Sequence, residues 1–185
     1  MELRTKSKLN TAPSEEPITL TEAKTQLRFN GVTLDSDDES KLNGYISAAR
    51  QEAENYTRRA FITQTWELWL NKMPEIIPLR KLPVVSITSV EYYDENDSLQ
   101  TFASSNYKFE DLGEKAQIHV NDNFPSLSSD REFPVKVTYI AGYGAASTVP
   151  QAIKNAIKLG VTNLENDEMK MSEAAISLLT PYRVL

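Results

Sequence analysis

A change of hydrophobic period between Asp37 and Leu70 constrains the fold of this chain more than any other feature. From Ile62 onward apolar residues alternate with polar ones, which is typical of a half-buried β-strand. Before that point they recur every three or four positions, as they do on one face of an α-helix: Leu42, Tyr45, Ile46, Ala49, Ala53 and Tyr56. The sequence therefore predicts a long helix that passes into a strand between Thr57 and Ile62.

The predicted strand carries two tryptophans on opposite faces. Trp66 shares its face with Leu68 and Leu70, whereas Trp69 shares the other face with Glu67. We expect Trp66 to be largely buried and Trp69 to be the more exposed. Because tryptophan is enriched in protein interfaces, Trp69 is a candidate anchor for another subunit, with an ordinary core position as the alternative.

The segments before and after this stretch predict further helices. Thr19 and Glu22 fit the capping box of a short helix. Pro150 suits the first turn of a later helix, whose apolar residues follow with helical spacing, and Ser172 to Leu179 predicts a last short helix. We expect the helix that starts near Val149 to close a bundle with the long helix.

Between these helices, short extended runs separated by turn signals predict an antiparallel β region. The candidate strands are Ile76 to Leu79, Val84 to Tyr93, Leu99 to Phe102, Tyr107 to Glu110, Ala116 to Val120 and Val135 to Ile140. Pro78 interrupts the first of them, which predicts a position at a sheet edge.

The predicted fold class is therefore α+β, a helical bundle formed by N- and C-terminal helices with a central antiparallel β insertion. Residues 1–17 are polar, contain Pro13 and show no period, which predicts a flexible N-terminal arm. We assign 18–60 together with 149–185 to the helical domain and 61–148 to the β-rich insertion.

Composition excludes several classes of protein. The net charge of −6, from 20 basic and 26 acidic residues, argues against a protein whose main task is to grip phosphates, although a local basic patch stays open. The chain has no cysteine, so it holds neither a disulfide nor a thiolate site. Its first residues lack the apolar region of a signal peptide, and no apolar run approaches the ~20 residues of a membrane span. We expect a cytosolic protein without a membrane partner.

Residues with the chemistry of a metal site are few. His119 is the single histidine, and without a second histidine or a cysteine we expect an ordinary strand residue. The run from Asp35 to Glu39 resembles the start of a calcium loop, but Ser40 stands where glycine is required and Ile46 where glutamate is required. We expect these acids to cap the long helix, and we assign no catalytic, metal or cofactor residue.

The segment from Gly142 to Ser147 follows a predicted strand and precedes a helix, as a dinucleotide-binding turn does. However, Ser147 replaces the third glycine, and Pro150 delays the start of the helix. We expect a strand-to-helix connection, with a nucleotide-binding enzyme as a distant alternative.

Two basic segments leave alternatives open. Arg58 and Arg59 follow the long helix, where cations favour the negative end of the helix dipole, although they could also contact a phosphate. Pro181, Tyr182 and Arg183 close the chain and are either a docking segment or a frayed end.

Several sequence blocks, taken in order, resemble one known family. The blocks of the first half are EPITLTEAKTQLR at 16–28, Asp37-Asp38 before the long helix, Ala48 to Arg50, Glu54 to Thr57, and FITQTW at 61–66. Those of the second half are LPVVSITSV at 82–90, VTYIAGYG at 137–144 followed by Val149-Pro150, and TPYR at 180–183. Together they resemble the head–tail connector, or adaptor, proteins of long-tailed bacteriophages. Residues 163–167 depart from the family's aromatic-rich helix end.

The resemblance implies a structural protein without enzymatic activity or cofactor, in the neck of a phage or prophage virion that assembles in the host cytoplasm. Such adaptors form a ring of about twelve copies beneath the portal protein, which requires a head-to-tail interface that closes. The ring extends the channel through which DNA passes without specific binding, and it docks a stopper or tail-completion protein. The resemblance also implies contacts through the C-terminal segment that contains Pro181, Tyr182 and Arg183. Another neck or tail-completion protein is the main alternative.

Overall fold

The change of period coincides with the passage of the chain from one compact unit to another. The computed structural model describes residues 2–29, 31–121, 124–168 and 170–184. A helical unit comprises residues 13–62 and 143–185, and a β unit comprises the first 12 residues and 63–142. The helical unit is thus assembled from two separated stretches of chain, and the fold class is α+β as predicted.

In the helical unit, polar side chains fix where the helices begin. The helices are α1 (Leu20–Gln26), α2 (Ser36–Thr57), α3 (Gln151–Glu165) and α4 (Glu173–Leu179). The Thr19 hydroxyl accepts a hydrogen bond from the Glu22 N–H, and the Glu22 carboxylate accepts one from the Thr19 N–H, which completes the predicted capping box. The side chains of Asp35 and Ser172 cap α2 and α4 by accepting N–H groups of the first turn, whereas α3 follows Pro150 and has no side-chain cap.

The core of the helical unit lies where α2 packs against α3. Ile46 and Ala49 are buried there, and Tyr45 and Tyr56 pack against the buried cluster, which confirms the apolar face predicted for the long helix. The helices approach closely because α3 has a glycine at the contact: a Cβ built on Gly160 would lie 2.9 Å from the Ala49 Cβ. Phe61 and Ile62 also belong to this core, so the predicted strand starts two residues later, at Gln64.

The described part of the β unit forms two antiparallel sheets. Its strands are β1 (Thr5–Thr11), β2 (Gln64–Leu70), β3 (Ile76–Pro78), β4 (Val84–Tyr93), β5 (Leu99–Thr101), β6 (Tyr107–Asp111), β7 (Ala116–Val120) and β8 (Val135–Ala141). A five-stranded sheet has the order β1-β2-β8-β4-β5, and a three-stranded sheet has the order β3-β7-β6. β3, with Pro78, lies at a sheet edge as predicted.

Successive side chains of β2 and β8 point in turn to the inner and the outer face of the five-stranded sheet. Leu68 pairs with Val137, and both are fully buried on the inner face. Trp69 pairs with Lys136, and both point to the outer face, where they are half-buried. Tyr139 is also fully buried on the inner face, and its desolvation raises the pKa of its hydroxyl to about 12.

The predicted flexible arm is wrong for residues 5–11, which form β1 and pair with β2. Almost all side chains of β1 are exposed, so the strand needs no apolar residue on alternate positions, and its sequence TKSKLNT shows no period of two. Glu15 and Glu16 are also held by hydrogen bonds within the helical unit.

The predicted burial of Trp66 is also wrong in part, because both tryptophans of β2 are half-buried. Trp66 points to the inner face as expected, but the ammonium group of Lys81 lies over its ring, 4.9 Å from the centroid. A long cationic side chain, instead of apolar core, therefore covers this end of the inner face.

Among the described residues, no helix is long and apolar enough to span a membrane.

Candidate functional site

The C-terminal segment is held against the end of α2 instead of fraying. The Arg59 guanidinium donates to the Tyr182 carbonyl oxygen (2.6 Å), and the Val184 N–H donates to the Thr57 carbonyl oxygen (3.0 Å). The Tyr56 hydroxyl is hydrogen bonded to the Thr180 hydroxyl at 3.1 Å. These bonds fix the backbone that follows α4 and hold its side chains in defined positions.

This arrangement forms a surface that we call the C-terminal patch, consisting of Tyr56, Arg59, Pro181, Tyr182 and Arg183. Pro181 and Arg183 are exposed, and Tyr182 is half-buried. The Arg183 guanidinium stacks on the Tyr56 ring, 5.2 Å from its centroid. Rigid aromatic rings with arginine are the side chains most enriched at the energetic centres of protein interfaces.

The arginines after α2 have separate roles within the chain. Arg58 ends the helix in the left-handed conformation (φ 59°), and Arg59 binds the C-terminal segment. Burial raises the pKa of the neighbouring Tyr143 hydroxyl, and the positive charge of Arg59 opposes this increase. Because the Arg59 guanidinium already binds Tyr182, the structure favours a role in fixing this segment over a phosphate contact.

Trp69 lies on a different surface, on the outer face of the five-stranded sheet. It lines an open groove of about 280 Å³, which we call the sheet groove, together with Lys6, Lys8, Glu67 and Phe133. The Trp69 indole N–H donates to the Glu67 carboxylate (3.1 Å), and the Lys136 ammonium lies 5.7 Å from the ring centroid. Trp69 is therefore fixed at the floor of the groove.

Of the four residues predicted for an interface, three lie in the C-terminal patch of the helical unit, and Trp69 lies in the sheet groove of the β unit. The chain thus carries two distinct candidate contact surfaces. Both are built from half-exposed aromatic rings beside cations.

A buried ionic cluster holds together three segments of the helical unit. Arg50 and Glu54 are each only 6% exposed. The Arg50 guanidinium binds Glu54 (2.8 Å) and Glu16 (2.7 Å), and the other Glu54 carboxylate oxygen accepts the Phe61 N–H (2.8 Å). Sequence reasoning gave these residues no role, although the spacing of Arg50 and Glu54 by four positions beside the apolar stripe of α2 is a signal for such a pair.

The turn from Gly142 to Ser147 is a connection between β8 and α3. Gly144 has φ 117°, and a Cβ there would lie 3.0 Å from the Thr148 hydroxyl oxygen, so this position requires glycine. The Ala146 N–H, which would be available to a phosphate in a dinucleotide site, donates to the Glu15 carboxylate (2.9 Å). A bound phosphate would therefore meet a carboxylate.

The two remaining motifs, His119 and the acidic run that begins at Asp35, form hydrogen bonds within the chain. His119 lies in β7, as expected, and its Nε2 is 2.9 Å from Glu110 and 2.8 Å from the Gln117 amide. Hydrogen bonds from Gln117 and His119 lower the pKa of Glu110. Asp35 caps α2 by accepting the N–H groups of Asp37 and Asp38. In the described ranges, no group of three or more metal-ligating side chains is arranged to hold an ion.

A two-unit α+β chain whose aromatic and basic residues form candidate contact surfaces has the features of an assembly protein. Its sequence agrees with this class: the chain belongs to the phage gp6-like head–tail connector protein family, whose profile matches residues 17–141. No curated protein matches the chain.

Solved structures with a similar fold come from gene transfer agent (GTA) particles. The chain is similar to one from the "Neck of empty GTA particle computed with C6 symmetry", with 19% identity, a TM-score of 0.81, and coverage of 97% of this chain and 96% of that chain. A chain of the "Virion of native gene transfer agent (GTA) particle" matches with 19% identity, a TM-score of 0.80, and coverage of 97% and 95%. A third, from the "Neck of native GTA particle computed with C12 symmetry", has 19% identity, a TM-score of 0.72 and coverage of 96% of both chains. The fold is therefore shared along nearly the whole length of the chain.

Proposed function

We propose that this chain is a non-enzymatic adaptor in the neck of a tailed phage, prophage or phage-like particle. In this role several copies form a ring beneath the portal protein, extend the DNA channel and present a surface to a stopper or tail-completion protein. Membership in the head–tail connector family is the observation that carries the proposal. The fold shared with neck chains of a virion-like particle supports it.

The charge of the chain suits a channel wall. With a net charge of −6, the protein repels the phosphates of DNA on average, so that DNA can move past the ring without being held. The C6 and C12 symmetries of the similar neck structures support a ring, and the C12 structure supports about twelve copies. A ring of this kind requires two different surfaces on each copy that fit each other.

We assign the contact with the portal protein to the C-terminal patch. Its backbone is fixed by Arg59 and Thr57, while Pro181 and Arg183 remain exposed to a partner. A preorganised surface of this kind loses little conformational entropy on binding.

Mixing the protein with the portal protein encoded in the same genome, followed by electron microscopy, tests this proposal. We expect a ring stacked on the portal. Binding to tail proteins without binding to the portal would instead make the chain a tail-completion protein. The variant Arg183→Glu should lower the fraction of portals that carry a ring, whereas Lys115→Glu, on an exposed turn of the β unit, should leave it unchanged.

A further inference from the structure

The outer edge of β1 is open in the part of the chain that the structure describes. β1 is the first strand of the five-stranded sheet, and β2 is its one described neighbour. Every second residue of an edge strand directs its N–H and C=O away from the sheet, where another strand can bind them. Lys6, Ser7 and Lys8, in the middle of β1, are all exposed.

The lysines next to this open edge form no ion pair among the described residues. Lys6 pairs with Trp69 and Lys8 pairs with Glu67, which places both lysines on the outer face of the sheet. Among the described residues, neither ammonium group lies within ion-pair distance of a carboxylate, whereas Lys136 on the same face binds Glu91 at 2.9 Å. A strand added beside β1 would have its own side chains directly opposite Lys6 and Lys8.

Behind these lysines, the sheet groove supplies an apolar floor. Trp69 and Phe133 form this floor, and the Arg4 guanidinium lies 5.9 Å from the Phe133 ring centroid. The groove of about 280 Å³ is large enough to receive a bulky apolar side chain that leans over the lysine stems.

We propose that β1 and the sheet groove bind an extended acidic segment of a partner protein, which adds to the five-stranded sheet as a further strand. The carboxylates of the segment pair with Lys6 and Lys8, and its backbone bonds the free edge of β1. Lysines on an edge strand reject apolar and basic strands, so the same two side chains also make this edge selective for an acidic one.

The site fits a polypeptide better than it fits DNA. Two lysines without a described ion pair are few for a phosphate-binding surface, which typically neutralises more phosphates than two. The open backbone of β1 offers alternating donors and acceptors, which a second polypeptide strand can match and a phosphodiester chain cannot. This surface is separate from the C-terminal patch, so the inference does not depend on the proposed contact with the portal.

Binding of a synthetic peptide to the full chain tests the inference. The probe is a labelled nine-residue peptide with blocked ends in which glutamate and valine alternate, and fluorescence anisotropy measures its Kd. We expect binding that weakens with added salt. We also expect hydrogen exchange to slow within residues 5–11 when the peptide is bound, because the added strand protects the edge amides. Peptide binding without slower exchange would overturn strand addition.

Charge variants separate specific pairing from general attraction. Lys6→Glu combined with Lys8→Glu should raise the Kd of the peptide about tenfold, since two favourable cross-strand pairs become repulsive. Lys108→Glu combined with Lys115→Glu changes the net charge equally at exposed sites on β6 and the following turn, and should leave the Kd within about twofold. Replacement of Lys6 and Lys8 by arginine, which keeps both charges, should also preserve binding.

Other outcomes would contradict the inference. Equal Kd values for the two glutamate variants would show that β1 is not the binding site. Tighter binding of a duplex DNA probe than of the peptide would assign the lysines to nucleic acid. Self-association that disappears in the variant with both Lys6→Glu and Lys8→Glu, without peptide binding, would assign the edge to a second copy of this chain. Thermal unfolding of each variant verifies that it is folded.

Discussion

One ion pair of the helical unit lies deeper than any described pair of the β unit. Arg50 binds Glu54, and each of these two side chains is 8% exposed, whereas Glu16, the second partner of Arg50, is 30% exposed. In the β unit, the described pairs range from Arg131 with Asp97 at the surface to Lys136 with Glu91, whose side chains are 18% and 20% exposed. A charged pair is therefore buried in the core of the helical unit, whereas the buried positions of β2 and β8 are mostly apolar.

This difference follows from how each unit is connected. Most of the β unit is one stretch of chain, residues 63–142, whose backbone hydrogen bonds join neighbouring strands. In the helical unit, no described backbone hydrogen bond joins the stretch before α1 to α2 or to the residues that follow α2. A buried ion pair with fixed geometry holds these segments in one arrangement, which an apolar contact specifies less strictly.

Arg50→Ala should produce the largest effect. Removal of the cation takes the opposite charge away from the buried Glu54 carboxylate and from Glu16, so we expect a loss of about 3–5 kcal/mol in the free energy of unfolding. Urea denaturation measures the loss. Arg131→Ala breaks an exposed pair of the β unit and should change stability little.

A double variant sharpens this comparison. Arg50→Ala combined with Glu54→Gln should be more stable than Arg50→Ala alone, because the neutral amide is less costly to bury and its oxygen can still accept the Phe61 N–H. If Arg50→Ala and Arg131→Ala lower the free energy of unfolding equally, the buried ion pair contributes no more to stability than an exposed pair does.

Two glycine variants test the close contact of α2 and α3. Gly160→Ala places a methyl group 2.9 Å from the Ala49 Cβ and forces the helices apart, so we expect a net loss of about 1–2 kcal/mol despite the higher helix propensity of alanine. Gly44→Ala, also in a helix but without any atom within 4 Å of the added Cβ, should instead stabilise the protein by about 0.5–1 kcal/mol. In thermal denaturation, Gly160→Ala should lower the Tm and Gly44→Ala should raise it.

Thr19→Ala should have a smaller effect on the same unit. It removes the acceptor for the Glu22 N–H at the start of α1, which costs about 1 kcal/mol. Hydrogen exchange should show faster opening of α1, with no change in β2 or β8. Faster exchange in the β strands would mean that the units do not respond separately.

Acidification should give the smallest effect, and both units should contribute to it. Hydrogen bonding to the Thr19 backbone, with help from Lys158, lowers the pKa of Glu22, and a hydrogen bond from Lys136 lowers the pKa of Glu91. A lowered pKa in the folded state stabilises the protein above the unfolded value near 4.5, and this contribution is lost as the pH falls through the folded value. Denaturation between pH 6 and pH 3 should show a smaller acid-dependent loss in Glu22→Gln and Glu91→Gln, by less than about 1 kcal/mol each. If stability depends on pH in these variants as it does in the unmodified protein, the lowered pKa values assigned to Glu22 and Glu91 are wrong.

Periodicity predicted those elements that have one buried face. The apolar stripe of α2, with Ile46 and Ala49, and the alternation around Leu68 in β2 both follow from burial on one side. The bounds of β4 and β7 agree with the prediction because turn residues mark both of their ends.

The missed features depend on contacts between residues distant in the sequence. β1 is a strand because β2 offers it an edge, which its own polar sequence does not reveal. Arg50 meets Glu16 across 34 positions, and Lys81 covers Trp66 across 15, so neither contact follows from local spacing. For the same reason, Lys6 and Lys8 were not recognised as neighbours of Trp69.

The pairing of Gln64 with Ala141 has a consequence for the order of folding. To bring Ala49 to Gly160, an unstructured chain must close a loop of about 110 residues. Once β2 and β8 have paired, the effective loop shrinks to about 35 residues, which lowers the entropic cost of closure by about 1 kcal/mol. Folding of the inserted sheet thus prepares the docking of α2 on α3, and variants that slow the pairing of β2 with β8 should also delay formation of the helical core.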